Sequence, residues 1–249
     1  MEIEIDPRKN AFENAAIYFE EAKKAKKKIE EIKKRLEGVG GEEVKEMTEK
    51  RKAGKKRHWF EKFRWFFTSD GFLVIGGKNA EQNEILVGKY LTDNDLFFHA
   101  EIAGAATVIL KNGKTAPERS IDEASQFAAS YSKAWKEGYA SIDVIYTTKD
   151  QVSKSPPSGE YLPKGSFIVG KKKTKKNVPL GLIIGVVGEK AYVVPMLCGK
   201  KRFSAAVGIV PGEKAKEEIV KEISEKLGID QNLITGLVPS GKSSIIDLR

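Results

Sequence analysis

Cysteine and histidine are almost absent from this chain of 249 residues, which has one Cys and two His. A single thiol cannot form an internal disulfide, and no multi-cysteine zinc site can be built. Cys198 lies in the apolar run Val193, Val194, Met196, Leu197, so a buried thiol is expected there rather than a nucleophile. Long apolar runs are also lacking: none approaches the ~18 residues that span a bilayer. The amino terminus shows no basic stretch leading into a short apolar one, so no signal peptide is visible, and a cytoplasmic protein with no membrane partner is expected. There is no P-loop and no dinucleotide fingerprint. Metal and cofactor sites are not expected. The 40% of hydrophobic residues still supplies a real core.

What the chain has in excess is positive charge. The net charge is +9, and its distribution is uneven. Residues 8–57 hold 17 Lys/Arg against 10 Asp/Glu, a balance of +7. Residues 154–176 hold seven lysines (Lys154, Lys164, Lys171, Lys172, Lys173, Lys175 and Lys176) against Glu160, a balance of +6, which leaves −4 on the remainder. Two basic segments on a mildly acidic body fit contact with a polyanion. The blander account is the high Lys and Glu usage of heat-stable proteins.

The first 57 residues read as an arm. Asp6-Pro7 is a helix start, and apolar residues recur at Ala11, Ala15, Tyr18, Ala22, Ala25, Ile29, Ile32 and Leu36 with coiled-coil spacing. Gly38 to Gly41 ends that helix, and a second runs from Glu42 to about Arg57, giving an antiparallel hairpin.

From Trp59 the pattern changes. Phe63, Trp65 and Phe67 alternate as on a strand, Ser69-Asp70-Gly71 is a turn, and Phe72 to Ile75 returns. Asn79 caps a helix to Tyr90, and the Leu96 and Thr107 segments are strands flanking a tight Gly104 loop. Ser120 and Glu123 resemble a capping box before a helix ending near Trp135. Ile142 to Tyr146 is a strand, 153–165 a loop, and Leu182–Val187 with Ala191–Val194 a hairpin. A last helix runs from Glu213 to about Leu227. The expected class is α+β, one mixed β-sheet with packed helices (58–249), preceded by the coiled-coil hairpin (1–57).

Three features carry possible chemistry. His99 and Glu101 share a strand face and could bond, but a third group for acid–base work is not identified. Gly76-Gly77-Lys78-Asn79 joins strand to helix, where backbone N–H groups can approach an anion, or make an ordinary turn. The Gln151 to Phe167 segment offers Ser158, Lys154 and Lys164 to phosphates, and Tyr161 and Phe167 to bases, with the Lys171 to Lys176 run following; a solvated hairpin tip is the alternative.

Four blocks resemble the NFACT family of ribosome quality-control factors. They are Asn14-Ala15 with Tyr18-Phe19; Trp59-Phe60-Glu61-Lys62-Phe63-Arg64-Trp65-Phe66 through Gly76-Gly77-Lys78-Asn79-Ala80-Glu81-Gln82-Asn83-Glu84; Asp95 to Glu101 with Gly104-Ala105 and Ala128 to Trp135; and the Gln151 to Gly170 loop. The resemblance implies a C-terminal half comprising a coiled coil and an NFACT-R RNA-binding domain. Its implied partners are tRNA and the rRNA of a large ribosomal subunit carrying a stalled chain. Counterparts of the family's N-terminal and helix-hairpin-helix domains are not in the sequence. Asn79 and Glu101 stand where aspartate is usual, and Ala103 where some members carry histidine, which weakens a catalytic loop. The expected RNA contacts are Lys78, Gln82, Asn83, His99, Lys154, Ser158, Lys164, Lys171, Lys172, Lys173, Lys175 and Lys176, with no catalytic residue. Two other readings remain: a protein-interaction arm or fibronectin-binding adhesin, and an RNA-processing enzyme using His99 and Glu101.

Overall fold

The computed structural model describes residues 58–155 and 162–248. The expected arm, residues 1–57, lies outside them, as do Ser158 and Tyr161. A hairpin opens the described domain: β1 (Arg64–Phe67) and β2 (Leu73–Gly76) pair antiparallel, with Trp65 opposite Ile75. Helix α1 (Ala80–Ile85) continues through a π-helical turn, Leu86–Tyr90. Then come β3 (Leu96–Ala100), β4 (Val108–Leu110), α2 (Glu118–Ser130), the short α3 (Lys133–Lys136) and β5 (Ser141–Thr148). A two-stranded ribbon, β6 (Val152–Ser153) with β7 (Ile168–Val169), precedes β8 (Lys173–Pro179). The chain ends with β9 (Leu182–Val187), β10 (Lys190–Pro195), β11 (Ala205–Lys214), α4 (Lys216–Leu227), α5 (Gln231–Thr235) and β12 (Ser243–Ile246).

The α+β class stands, but the single mixed sheet does not. The strands form a six-stranded sheet in the order β1-β2-β4-β3-β5-β8, a four-stranded sheet in the order β10-β9-β11-β12, and the β6-β7 ribbon. Every pairing among them is antiparallel. Strands that follow one another closely pair as hairpins, because parallel pairing needs a long crossover.

Five strands escaped the sequence reading: the two of the β6-β7 ribbon, in a stretch read largely as loop, and β8, β11 and β12. β8 is Lys-Thr-Lys-Lys-Asn-Val-Pro on the edge of the large sheet, where lysines discourage pairing with another chain. β11 carries Gly208, Pro211 and Gly212 and breaks register between Pro211 and Lys214, as bulged strands do. It also holds the chain extended to Lys214, so the helix expected from Glu213 begins at Lys216. β12 was read as a terminal segment.

The helix expected from a Ser120–Glu123 box starts earlier, at Glu118 after Pro117, and stops at Ser130. Both box residues lie inside it and serve tertiary contacts. The Ser120 hydroxyl sits 2.9 Å from the Thr68 hydroxyl and 2.7 Å from an Asp70 carboxylate oxygen. Glu123, fully buried, accepts from Ser69 N (2.7 Å), Ser69 Oγ (2.5 Å) and Arg119 Nε (3.3 Å). Cys198 is half-buried, and burial followed by the nearby Glu123 carboxylate pushes its thiol pKa up, which disfavours the thiolate.

Helix α2 contacts β3, β4, β5 and β8 of the large sheet and also β10 of the small one, so it runs between the two. Small residues on it, Ala124, Ser125, Ala128, Ala129 and Ser130, allow that double approach, and all are buried. The opposite face of the large sheet holds a second core in which Phe63, Ile75, Phe97 and Ile109 meet Leu86 of the π turn. Phe127 of α2, fully buried, packs 4.8 Å from the Phe66 ring and 4.8 Å from Tyr131. Phe127→Ala should therefore cost about 3–5 kcal/mol, read as a drop in the urea midpoint with little change in slope.

Candidate nucleic-acid interface

The turn after β2, the end of β3 with its following loop, the residues past α2 and the 164–172 segment converge on an open cleft of about 830 Å³. Among the described residues, six cationic side chains line it, Arg64, Lys78, Lys133, Lys136, Lys164 and Lys172, against one carboxylate, Glu101. Two of the six are compensated: Lys172 pairs with Glu101 at 2.7 Å and Lys133 with Glu137 at 3.0 Å. Exposed pairs of this kind are worth about 0–1 kcal/mol, so a competing phosphate can open them.

The structure gathers part of the expected set here. Lys78, Asn83, His99, Lys164 and Lys172 all line the cleft. Asn83 is buried, and its side-chain oxygen accepts from Thr107 N at 3.1 Å, so it holds the wall. Gln82 is outside the lining; its amide accepts from Lys78 N (3.1 Å) and donates to the Lys62 carbonyl (3.3 Å). The glycine turn has its own tasks. Gly77 N donates to Thr107 O (3.0 Å), and a Cβ on Gly77 would lie 2.0 Å from Asn83 Oδ1. Asn79 caps α1 by accepting from Gln82 N at 2.9 Å. With the N–H groups of Gly77 and Lys78 both engaged, the turn offers an anion the Lys78 side chain rather than a backbone cradle.

The remaining lysines are dispersed. Lys154 stands 4.0 Å from Glu84 and 5.9 Å from the Phe167 ring centre. Lys171 and Lys173 line a separate groove beside Tyr146, and Lys173 lies 5.9 Å from that ring. Lys175 and Lys176 line a third, where Lys175 bonds both Glu118 and Asp122. The basic run thus does not present one continuous face.

His99 and Glu101 do not bond to each other among the described contacts. The Glu101 carboxylate is taken by Lys172, 2.7 Å away. Burial lowers the His99 pKa, so the ring is neutral near pH 7. No group of three or more His, Cys, Asp or Glu side chains suited to a metal occurs among the described residues.

Sequence reading passed over the side chains that organise the cleft. Arg64 donates from Nη1 to Gly77 O at 2.8 Å and lies 4.5 Å from the Tyr131 ring centre. Tyr131 in turn donates to Leu237 O at 2.5 Å. Burial lowers the Arg64 pKa without discharging it, and pushes the Tyr131 phenol up. The available signal was a charged residue inside the aromatic strand Phe63-Arg64-Trp65-Phe66-Phe67.

Comparison with known proteins bears directly on this arrangement. Residues 62–171, which supply most of the cleft, match the family model described as NFACT protein RNA binding domain. The chain is 41% identical, over 98% of its own length, to the archaeal Rqc2 homolog aRqcH of Methanocaldococcus jannaschii. This chain belongs to the NFACT family. Human ribosome quality control complex subunit NEMF is 38% identical over 66% of the chain. The chain spans 40% of the archaeal relative and 16% of the human one. A solved structure, the C-terminal part of a fibronectin/fibrinogen-binding protein from Streptococcus suis, is 22% identical over 67% of the chain and 76% of that structure, with a TM-score of 0.42.

In this NFACT chain the neutral His99 sets a pH dependence. Its folded pKa is below the ordinary 6.5, so between those two values the unfolded chain binds more protons. Stability should fall as pH drops below 6.5 and level off beneath the folded value. The wild type should lose stability relative to His99→Asn over that window in paired urea titrations; equal losses would mean that His99 does not titrate as described.

Proposed function

We propose that the chain is the RNA-binding part of a ribosome quality-control factor, binding tRNA and the large ribosomal subunit that carries a stalled nascent chain. The observation that carries this is the cleft. Among the described residues, six cations, five of them within the segment matching an RNA-binding domain, face one carboxylate on a domain whose charge is otherwise near balance. The human relative is named as a subunit of the ribosome quality control complex and the archaeal one as an Rqc2 homolog, which supports the assignment. Lys78, His99, Lys164 and Lys172 are the proposed contacts within the cleft. Lys154, Lys171, Lys173 and Lys176 are proposed as outlying phosphate contacts. The division into an arm, 1–57, and an RNA-binding domain, 58–249, belongs to the same reading, as does a cytoplasmic site of action.

The enzyme reading is less favoured, since Glu101 pairs with Lys172 and makes no described bond to His99. Among the described residues no helix is long and apolar enough to cross a membrane. The test is the salt dependence of tRNA and large-subunit rRNA binding. Each phosphate neutralised on duplex-like RNA should contribute about 0.9 to the slope of log affinity against log salt. A slope near zero would remove RNA binding as the function.

A further inference from the structure

The cleft has two unlike walls, and together they specify a ligand more narrowly than RNA in general. One wall is aromatic. Phe97 and His99 are two apart on β3 and share a face, with rings 4° from parallel and centroids 6.4 Å apart. Phe167 meets Phe97 edge-on, 75° between planes and 6.1 Å between centroids. The other wall is cationic and short of counter-charge. Arg64 is held by a carbonyl and an aromatic face, and its Nε is buried with no partner among the described residues. Lys78 beside it is exposed and has no ion-pair partner among the described residues.

We propose that this cleft seats an unpaired nucleotide of an RNA strand, with its phosphate between Arg64 and Lys78 and its base against Phe167 and His99. The inference rests on the RNA-binding function above and narrows it to a strand form. A duplex turns its base faces into its own stack and presents a ridge of phosphates, so it can use the cationic rim but not the aromatic wall. An unpaired nucleotide satisfies both at once, and aromatic platforms within a basic groove are how single strands are held. Burial keeps the His99 ring uncharged, which suits a stacking face and not a phosphate ligand. Partial burial and then the Arg64 charge lower the Lys78 pKa, which reflects two cations held close without an anion between them. Lys136, Lys164 and Lys172 provide further positions for the phosphates on either side of the seated nucleotide.

The experiment is a fluorescence-anisotropy titration of the whole chain with a labelled single-stranded RNA hexamer. A blunt RNA duplex of matching length and adenosine monophosphate serve as competitors, and unlabelled tRNA is measured in parallel. The wild type should prefer the single strand to the duplex. Phe167→Leu, which keeps apolar volume but removes the aromatic face, should weaken hexamer binding on the order of tenfold. Lys78→Ala should lower the salt slope for the hexamer by about 0.7, the increment for one phosphate on a single strand. Lys78 bears no side-chain hydrogen bond among the described residues, so that variant tests the cleft even if Phe167→Leu disturbs folding. Duplex bound as tightly as the hexamer, or adenosine monophosphate competing on equal terms with it, overturns the proposal. Wild-type affinity and slope in both variants, with salt-dependent tRNA binding retained, overturns the seat and leaves the RNA-binding function standing. Loss of all RNA binding by the folded wild type overturns both.

Discussion

Everything in the described domain depends on burying one helix between two sheets. A helix with sheet on both sides keeps little surface for water, which for α2 is confined to Glu118, Arg119 and Asp122 in its first turns. α2 meets that constraint with small residues for close approach and with polar side chains that all find partners. Ser125 returns its hydroxyl to Ile121 O at 2.7 Å. Gln126 accepts from Leu197 N (2.8 Å) and donates to Pro179 O (3.2 Å). Ser130 accepts from Gly181 N at 3.0 Å. Unpaired, such groups would each cost about 1–3 kcal/mol, so the bonds make the helix position unique as well as tolerable.

That position reaches the cleft through one residue. Tyr131 follows the last turn of α2, and its ring supports the Arg64 guanidinium while its hydroxyl reaches Leu237 O. On the far side, Gly77 and Asn83 fit together so closely that the turn carrying Lys78 has no slack. The Arg64 and Lys78 side of the cleft is therefore set by the core. Of its cations, Arg64 projects from β1, Lys78 from the β2–α1 turn, and Lys133 and Lys136 from α3, while Lys164 and Lys172 come from the 164–172 segment.

Much of this was legible in the residue order. The aromatic alternation from Phe63, the Asn79 cap and the Leu182–Val194 hairpin follow from side-chain period and turn chemistry, which act locally. The misreadings share a cause. Ser120 and Glu123 have the spacing of a cap, but a fully buried carboxylate near Ser69 outweighs a local bond, and only tertiary structure reveals that competitor. β8 and β11 are strands because their neighbours supply hydrogen-bond partners, while their own Lys, Gly and Pro argue against it. At the site, His99 and Lys78 were legible as unusual residues in suggestive places. Arg64 was hidden, since a strand position says nothing of what packs over it.

The lysine run from 171 to 176 illustrates how a charge count misleads. It is the densest basic segment of the described domain, yet as an edge strand and its lead-in it divides its side chains among three grooves, and Lys175 is matched by two carboxylates. Its lysines have a sufficient reason to exist in keeping the sheet edge unpaired. A stronger argument for an anionic ligand comes from one arginine. A partly buried guanidinium normally meets a carboxylate, because desolvating a charge without a counter-charge is costly. Arg64 instead has a carbonyl and a π face, which tolerate the cation without cancelling it. The positive field is thereby preserved at the cleft, where a carboxylate would have extinguished it, and that is the arrangement expected when the counter-charge arrives with the ligand.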